Sequence, residues 1–165
     1  MARTAFVTSG SGFVGCHLVR RLCADGWAVR ALTRSGAAAG RVAELGATPV
    51  AGELTSVGDV RAAADGTEVA FHVAAAVGEW GPRAEFVRAN VDGTRAVVEG
   101  CRTAGVARLV HVSTEAVLRA GRPLGDVDET APTQHECSID IAKACRELGY
   151  APVVDREEGL RELPG

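Results

Sequence analysis

Gly10, Gly12 and Gly15 stand at G-x-G-x-x-G spacing within Thr8-Ser9-Gly10-Ser11-Gly12-Phe13-Val14-Gly15. Small residues at that spacing let a backbone approach a pyrophosphate closely. A helix that starts beside them aims unpaired N–H groups at the phosphate oxygens. Arg34 is a second candidate, because a guanidinium presents a planar fork of donors to a phosphate. Ser113 and Thr114 are adjacent hydroxyls at the end of an apolar run, where a ligand oxygen could be held. Lys143 is the only lysine and Tyr150 the only tyrosine, so any acid–base pair built from those two types has one form.

The elements that would position these groups are legible as hydrophobic periodicity. Ala5-Phe6-Val7 is short and apolar, as a buried strand is. A helix follows the glycine turn, with Val14, Leu18 and Leu22 expected on its buried face. Residues 27–32 form a second strand, 36–46 a weak helix, 47–51 a third strand and 57–64 a helix. Residues 69–75 are a fourth strand and its exit, and 106–114 a fifth. Between the last two, residues 82–104 read as one helix with Val87, Val91, Thr94, Val98 and Cys101 in a single apolar stripe. Strands alternating with helices predict a doubly wound parallel sheet, in order 3-2-1-4-5, with helices on both faces.

The second strand ends in Thr33-Arg34-Ser35 with no acid. An acid there would bond the 2′-hydroxyl of NAD, whereas an arginine accommodates the 2′-phosphate of NADP. NADP is therefore favoured over NAD. His72, alone in an apolar strand, is expected to be a buried, hydrogen-bonded histidine rather than a catalyst.

The chain has 165 residues and a net charge of -3 with no basic stripe, which argues against a nucleic-acid partner. No apolar run approaches the roughly 20 residues of a membrane span, and no signal-peptide pattern precedes the first strand. A cytoplasmic location is the expectation. The five cysteines form no C-x-x-C pair, and neither a disulfide nor a metal site is expected.

Val7-Thr8-Ser9-Gly10-Ser11-Gly12-Phe13-Val14-Gly15 resembles the T-G-x-x-G-x-x-G turn of the extended short-chain dehydrogenases/reductases, the NAD-dependent epimerase/dehydratase family that includes 3-beta-hydroxysteroid dehydrogenases. Thr8 is then the threonine, Gly12 and Gly15 are the second and third glycines, and Ser9 replaces the first. Further segments share the likeness over about residues 3–134. Gly52-Glu53-Leu54-Thr55 is similar to the G-D-L-x segment beside the adenine. Phe71-His72-Val73-Ala74-Ala75 is similar to H-x-A-A, where Ala74 and Ala75 lie against the cofactor. Asn90-Val91-Asp92-Gly93-Thr94 is similar to N-V-x-G-T, which implies an active-site asparagine and a helix that often dimerises. Val112-Ser113-Thr114-Glu115-Ala116-Val117 is similar to V-S-S/T-x-x-V, which implies that Thr114, preceded by Ser113, binds the substrate oxygen. The resemblance thus implies a cofactor set of Thr8, Gly10, Gly12, Phe13, Val14, Gly15, Arg34, Glu53, Leu54, Ala74, Ala75 and Asn90.

The family also uses Y-x-x-x-K on a helix, in which the lysine lowers the tyrosine's pKa so that the phenol can move a proton near neutrality. Ile139 and Lys143 have the spacing but no phenol, and Tyr150 has Val154 four residues on. Residues 138–161 resemble the family's C-terminal tail, joined near 134–137 to the loop that follows the fifth strand. The expectation is an internal deletion of the catalytic helix and most of the substrate lobe, leaving a dinucleotide-binding domain over 1–134 and a helical tail over 135–165. Apolar surface should be exposed where the missing parts would pack. Three functions remain open at this point. The first is an oxidoreductase or epimerase acting on a hydroxyl or keto group, with catalysis impaired. The second is a non-catalytic dinucleotide-binding module, and the third a degenerate product.

Overall fold

A computed structural model describes residues 2–78, 80–114, 124–127, 137–139, 146 and 151. They divide between two compact units, residues 1–112 and 113–165. The boundary expected at 134 lies outside the described residues.

The first unit is a five-stranded sheet in order β3-β2-β1-β4-β5. Its strands are β1 (Thr4–Thr8), β2 (Ala28–Thr33), β3 (Thr48–Ala51), β4 (Val69–His72) and β5 (Arg108–His111). Every neighbouring pair is parallel, with Val7 opposite Ala31 on one side and Phe71 on the other. This is the expected doubly wound order. Because β1 is central, its side chains are buried on both faces. Ala5 and Val7 point to one core, where they meet Val19 and Leu22 of α1 (Phe13–Ala24) and Val42 of α2 (Gly36–Glu44). Phe6 points to the other, with Val60, Ala63 and Ala64 of α3 (Val57–Ala64).

Of the face expected on α1, Leu22 is buried and Leu18 is partly buried against the same core, but Val14 is half exposed and Gly15 and Val19 are buried instead. Gly15 sits directly on the backbone of Ser9, which turns the helix so that Val14 faces outward.

The helix expected over 82–104 is three segments: a short α4 (Arg83–Phe86), a π-helical turn (Val87–Asp92) and α5 (Gly93–Thr103). The expected stripe is corrected here. Gly93, Ala96, Val97, Gly100 and Cys101 are the buried residues of α5, and Val91 and Val98 are exposed. A Cβ on Gly100 would lie 2.6 Å from Cγ1 of Val60 on α3, and one on Gly93 2.8 Å from Leu54. Close helix approach therefore selects the small residues, and the wider π turn shifts the phase of the periodicity. Burial also pushes the Cys101 thiol up to about 11, so it is an inert core thiol.

At the edge of the sheet, Val110 of β5 and Val112 just after it are exposed, 39% and 42%.

In the second unit, β6 (Leu124–Val127) and β7 (Cys137–Ile139) pair in parallel, Leu124 with Cys137 and Val127 with Ile139. Within the tail expected to be helical, Cys137–Ile139 is therefore a strand. Its three residues are too few to show a strand period, so the pairing and not the pattern defines it. Lys143 and Tyr150 lie outside the described residues. Among the described residues no helix is long and apolar enough to cross a membrane.

Candidate functional site

A cleft of about 750 Å³ opens over the carboxyl ends of the strands. Ser9 and Ser11 reach it from the end of β1, Thr33 and Arg34 from β2, Glu53 and Leu54 from the end of β3, and Ala74 and Ala75 from the exit of β4. The chain connections of the sheet run outward in opposite directions from β1 and β4, and an open α/β sheet binds ligands at that switch point.

Beside the cleft, which Ser11 lines and Gly12, Phe13, Val14 and Gly15 do not, the helix starts differ in how they are capped. Ser35 caps α2 by accepting from the Ala38 N–H at 3.2 Å, and Ser56 caps α3 by accepting from the Asp59 N–H at 3.2 Å. Helix α1 begins at Phe13 after its N-cap Gly12, with no side-chain cap and no acid in its first turn. The positive end of its dipole and the first-turn N–H groups are thus left without a side-chain acceptor. The turn before it is held by the Gly12 N–H donating to the Ser9 carbonyl at 3.0 Å. Phe13 and Val14 are exposed on that first turn. Gly10 is a packing residue: it is buried, and a Cβ there would lie 3.0 Å from Ala31 and 3.3 Å from Val19.

Ser9 adopts φ +55°, the left-handed region in which a Cβ is strained. A serine rather than a glycine at this position therefore has a conformational cost. Ser9→Gly is expected to stabilise the protein by about 0.5–1 kcal/mol, the relieved strain less the extra chain entropy of glycine. Chemical denaturation of the two proteins checks this, and a destabilised Ser9→Gly variant contradicts it.

Arg34 is exposed on the cleft rim and also borders an adjoining hollow of about 330 Å³. Glu53 and Asp59 line the far side of that hollow, and the Asp59 carboxylate accepts from the Glu53 N–H at 2.9 Å. Arg41, on α2, donates to the Ser11 carbonyl at 3.1 Å and so ties α2 to the glycine turn.

Thr8 and Asn90 shape the opposite wall without lining it. Thr8 Oγ1 is fully buried and accepts from the Val73 and Ala74 N–H groups at 3.0 and 3.1 Å. The Asn90 amide accepts from the Ala76 N–H at 2.7 Å and donates to the Ala76 carbonyl at 3.0 Å. Both polar ends of Asn90 are thereby engaged by the β4 exit. Asn90 reaches it from the π turn, a distortion that often marks functional positions.

His72 is fully buried, as expected for a structural histidine. Its Nδ1 lies 2.9 Å from Thr8 Oγ1, and its Nε2 lies 3.0 Å from Thr94 Oγ1. Burial, with His111 beside it, pushes the ring pKa down to about 4, so the ring is neutral near pH 7. The His111 ring stacks at 5.0 Å between centroids.

Ser113 and Thr114 begin the second unit, immediately after the end of the first at Val112. Glu85 and Arg88 also line the cleft, and nothing in the sequence pattern marks them. Their approach depends on how α4 and the π turn cross the β4 exit. Among the described residues no group of three or more metal-ligating side chains occurs.

The family model described as the 3-beta hydroxysteroid dehydrogenase/isomerase family matches residues 6–146. A 4-hydroxy-2-methyl-3-oxo-4-farnesyl-3,4-dihydroquinoline-1-oxide ketoreductase of Stigmatella aurantiaca is 49% identical over 127 residues, which cover 77% of this chain and 38% of that protein. A 2-alkyl-3-oxoalkanoate reductase of Shewanella oneidensis is 37% identical over 131 residues, 78% of this chain and 33% of that one. Among solved structures, a short-chain dehydrogenase/reductase superfamily protein from Agrobacterium tumefaciens with bound NAD superposes with a TM-score of 0.66 at 29% identity. It covers 82% of this chain and 40% of its own. The chain thus spans about a third of the length of the curated relatives it matches.

Proposed function

This chain belongs to the 3-beta hydroxysteroid dehydrogenase/isomerase family, and from that premise we propose that it binds a nicotinamide dinucleotide, NADPH ahead of NADH, without turning over substrate on its own. The observation that carries the reading is the uncapped start of α1 beside a cleft at the carboxyl ends of the strands. Six of the twelve expected cofactor residues, Gly12, Phe13, Val14, Gly15, Ala74 and Ala75, would meet the cofactor through their backbone, where a pyrophosphate needs room and N–H groups rather than side-chain chemistry. Gly12, Phe13, Val14 and Gly15 would present the helix N-terminus to the pyrophosphate. Leu54 and Glu53 would flank the adenine, and Ala74 and Ala75 would lie along the nicotinamide side. Thr8 and Asn90 would hold that side in place from behind.

The phosphate preference rests on Arg34, which makes no hydrogen bond or ion pair with another described residue and is free to meet a 2′-phosphate. No acid stands at the end of β2 to take a 2′-hydroxyl. NADPH is expected to bind at least about tenfold tighter than NADH, and Arg34→Ala to erase that difference, as befits a charge-assisted contact of about 1–3 kcal/mol. Fluorescence titration of both nucleotides checks this. Equal affinities in the native protein would reject the NADP reading, and no binding of either would reject the cofactor site.

The relatives' names describe reduction of an oxo group, and the same chemistry in this chain would need a proton for the resulting oxygen. Thr114, with Ser113, is the proposed hydroxyl that holds a substrate oxygen. A threonine hydroxyl is too weak an acid to replace an activated phenol, and Ile139 stands where that phenol would precede Lys143. A positioned acid–base group contributes roughly 10²–10⁴-fold to such a step. In the same assays, therefore, 3-oxo substrates are expected to leave nicotinamide absorbance essentially unchanged. Self-association through the outer face of α5 and the π turn, where Val91 and Val98 are exposed, completes the proposal.

A further inference from the structure

We propose that His72 is a positioning residue of the cofactor cleft: it accepts the Thr8 hydroxyl proton and so directs both lone pairs of Thr8 Oγ1 at the N–H groups of Val73 and Ala74. The inference rests on the reading of the cleft as a dinucleotide site.

A threonine hydroxyl has one proton and two lone pairs. Thr8 Oγ1 has three close partners: the Val73 N–H at 3.0 Å, the Ala74 N–H at 3.1 Å and His72 Nδ1 at 2.9 Å. Two of them are backbone donors and consume the lone pairs. The hydroxyl proton is left for Nδ1, which must therefore be bare. The ring proton then sits on Nε2 and donates to Thr94 Oγ1 at 3.0 Å. A single tautomer satisfies all four contacts. The opposite tautomer would set an N–H against the hydroxyl proton and leave one of the buried backbone donors without its acceptor.

The geometry matters because of where Val73 and Ala74 lie. They are the turn by which the chain leaves β4, and Ala74 lines the cleft. Thr8 ends β1, immediately before the glycine turn. Thr94 is in the first turn of α5. Through one imidazole, β1, the β4 exit and α5 are held in a fixed relation, so the far wall of the cleft is set by a proton position rather than by apolar packing alone. Thr94 belongs to this network and not to an apolar stripe.

Two measurements on the full chain test it. The first is ¹⁵N NMR of the histidine rings at neutral pH. His72 is expected to show a protonated Nε2 and a bare Nδ1, and a protonated Nδ1 would overturn the proposal. The second compares Thr8→Val, Thr8→Ser and His72→Gln, each first shown by circular dichroism to be folded. Thr8→Val and His72→Gln should speed amide hydrogen exchange at Val73 and Ala74 and weaken NADPH binding about tenfold or more, while Thr8→Ser restores both. Unchanged exchange in folded Thr8→Val would overturn the inference. A native protein that binds no dinucleotide would overturn the reading of the cleft, and the ring tautomer and the amide exchange would still decide the inference. Should Thr8→Val not fold, Thr94→Val interrupts the other end of the network, and a His72 ring that keeps the same tautomer and the same Ala74 exchange rate in it would count against the coupling to α5.

Discussion

Gly15→Ala is expected to open the glycine turn, and Gly15→Val to abolish dinucleotide binding along with much of the stability. A Cβ at Gly15 would overlap the carbonyl oxygen of Ser9 and lie 2.8 Å from its carbonyl carbon and 3.0 Å from Cα of Gly10. All three are backbone atoms, so no rotamer change relieves the overlap. The turn itself must move, and with it the Gly12 N–H bond to Ser9 and the start of α1. A loss of about 3 kcal/mol or more is expected from overpacking at a site that cannot relax. Gly12 provides the contrast. The nearest atom to a Cβ there is the Ser9 Oγ at 2.9 Å, the end of a side chain that can rotate away. Gly12→Ala should therefore keep near-native stability while weakening nucleotide binding by intruding on the phosphate path. Thermal melts and NADPH titrations of the two variants separate these effects. A Gly15→Ala protein that melts and binds like the native one would show that the turn is not packed as described.

Acid is expected to destabilise the fold through His72, by about 3 kcal/mol between neutral pH and pH 4. The folded ring titrates at about 4, against 6.5 for a free imidazole. A folded pKa below the unfolded one means that the unfolded chain takes up the proton first. The contribution of neutral His72 is therefore complete above pH 6.5, declines as pH falls through the window, and is lost by about pH 4. The cause is mainly the desolvation of a ring with no exposed surface, with a smaller part from the charge that His111 can carry. Among the described residues His111 is the one titratable group stacked on it, and Thr8 and Thr94 are neutral. Urea denaturation of native protein and His72→Gln, at pH 7 and near pH 4.5, measures the difference. The variant should start less stable, because its hydrogen bonds are lost, but should lose less on acidification. Equal losses in the two proteins would mean that the ring is not held neutral by the fold.

Much of the fold was readable from local pattern. Ala5-Phe6-Val7 is apolar at every position because β1 is central and covered on both sides, and no other placement suits such a run. Glycine spacing placed the tight turn before α1, because only a missing Cβ permits the approach of Gly15 to Ser9. Strand order 3-2-1-4-5 followed from the alternation of strands and helices with right-handed crossovers.

Other features were decided only when distant residues met. The apolar stripe expected on 82–104 favoured Val91 and Val98, yet those side chains are exposed and Gly93, Ala96 and Gly100 are buried. Periodicity weighs how apolar a side chain is. The contact of α5 with Val60 and Leu54 instead selects for how little space it occupies, and that requirement exists only once α3 and α5 are side by side. The π turn, by shifting the helical phase, brings Asn90 to the backbone of Ala76, a partner 14 residues away that no local pattern names. His72 alone in a strand reads as a satisfied core residue, and it is one. Which proton it carries, and hence which way the Thr8 hydroxyl points, depends on Thr8 from 64 residues earlier and Thr94 from 22 residues later. The sequence by itself determined the sheet, its helices and the glycine turn, because each follows from the chemistry of consecutive residues. The tertiary structure decided the faces of α5, the wall at the β4 exit and the proton on His72, because each depends on atoms brought together only by the folded chain.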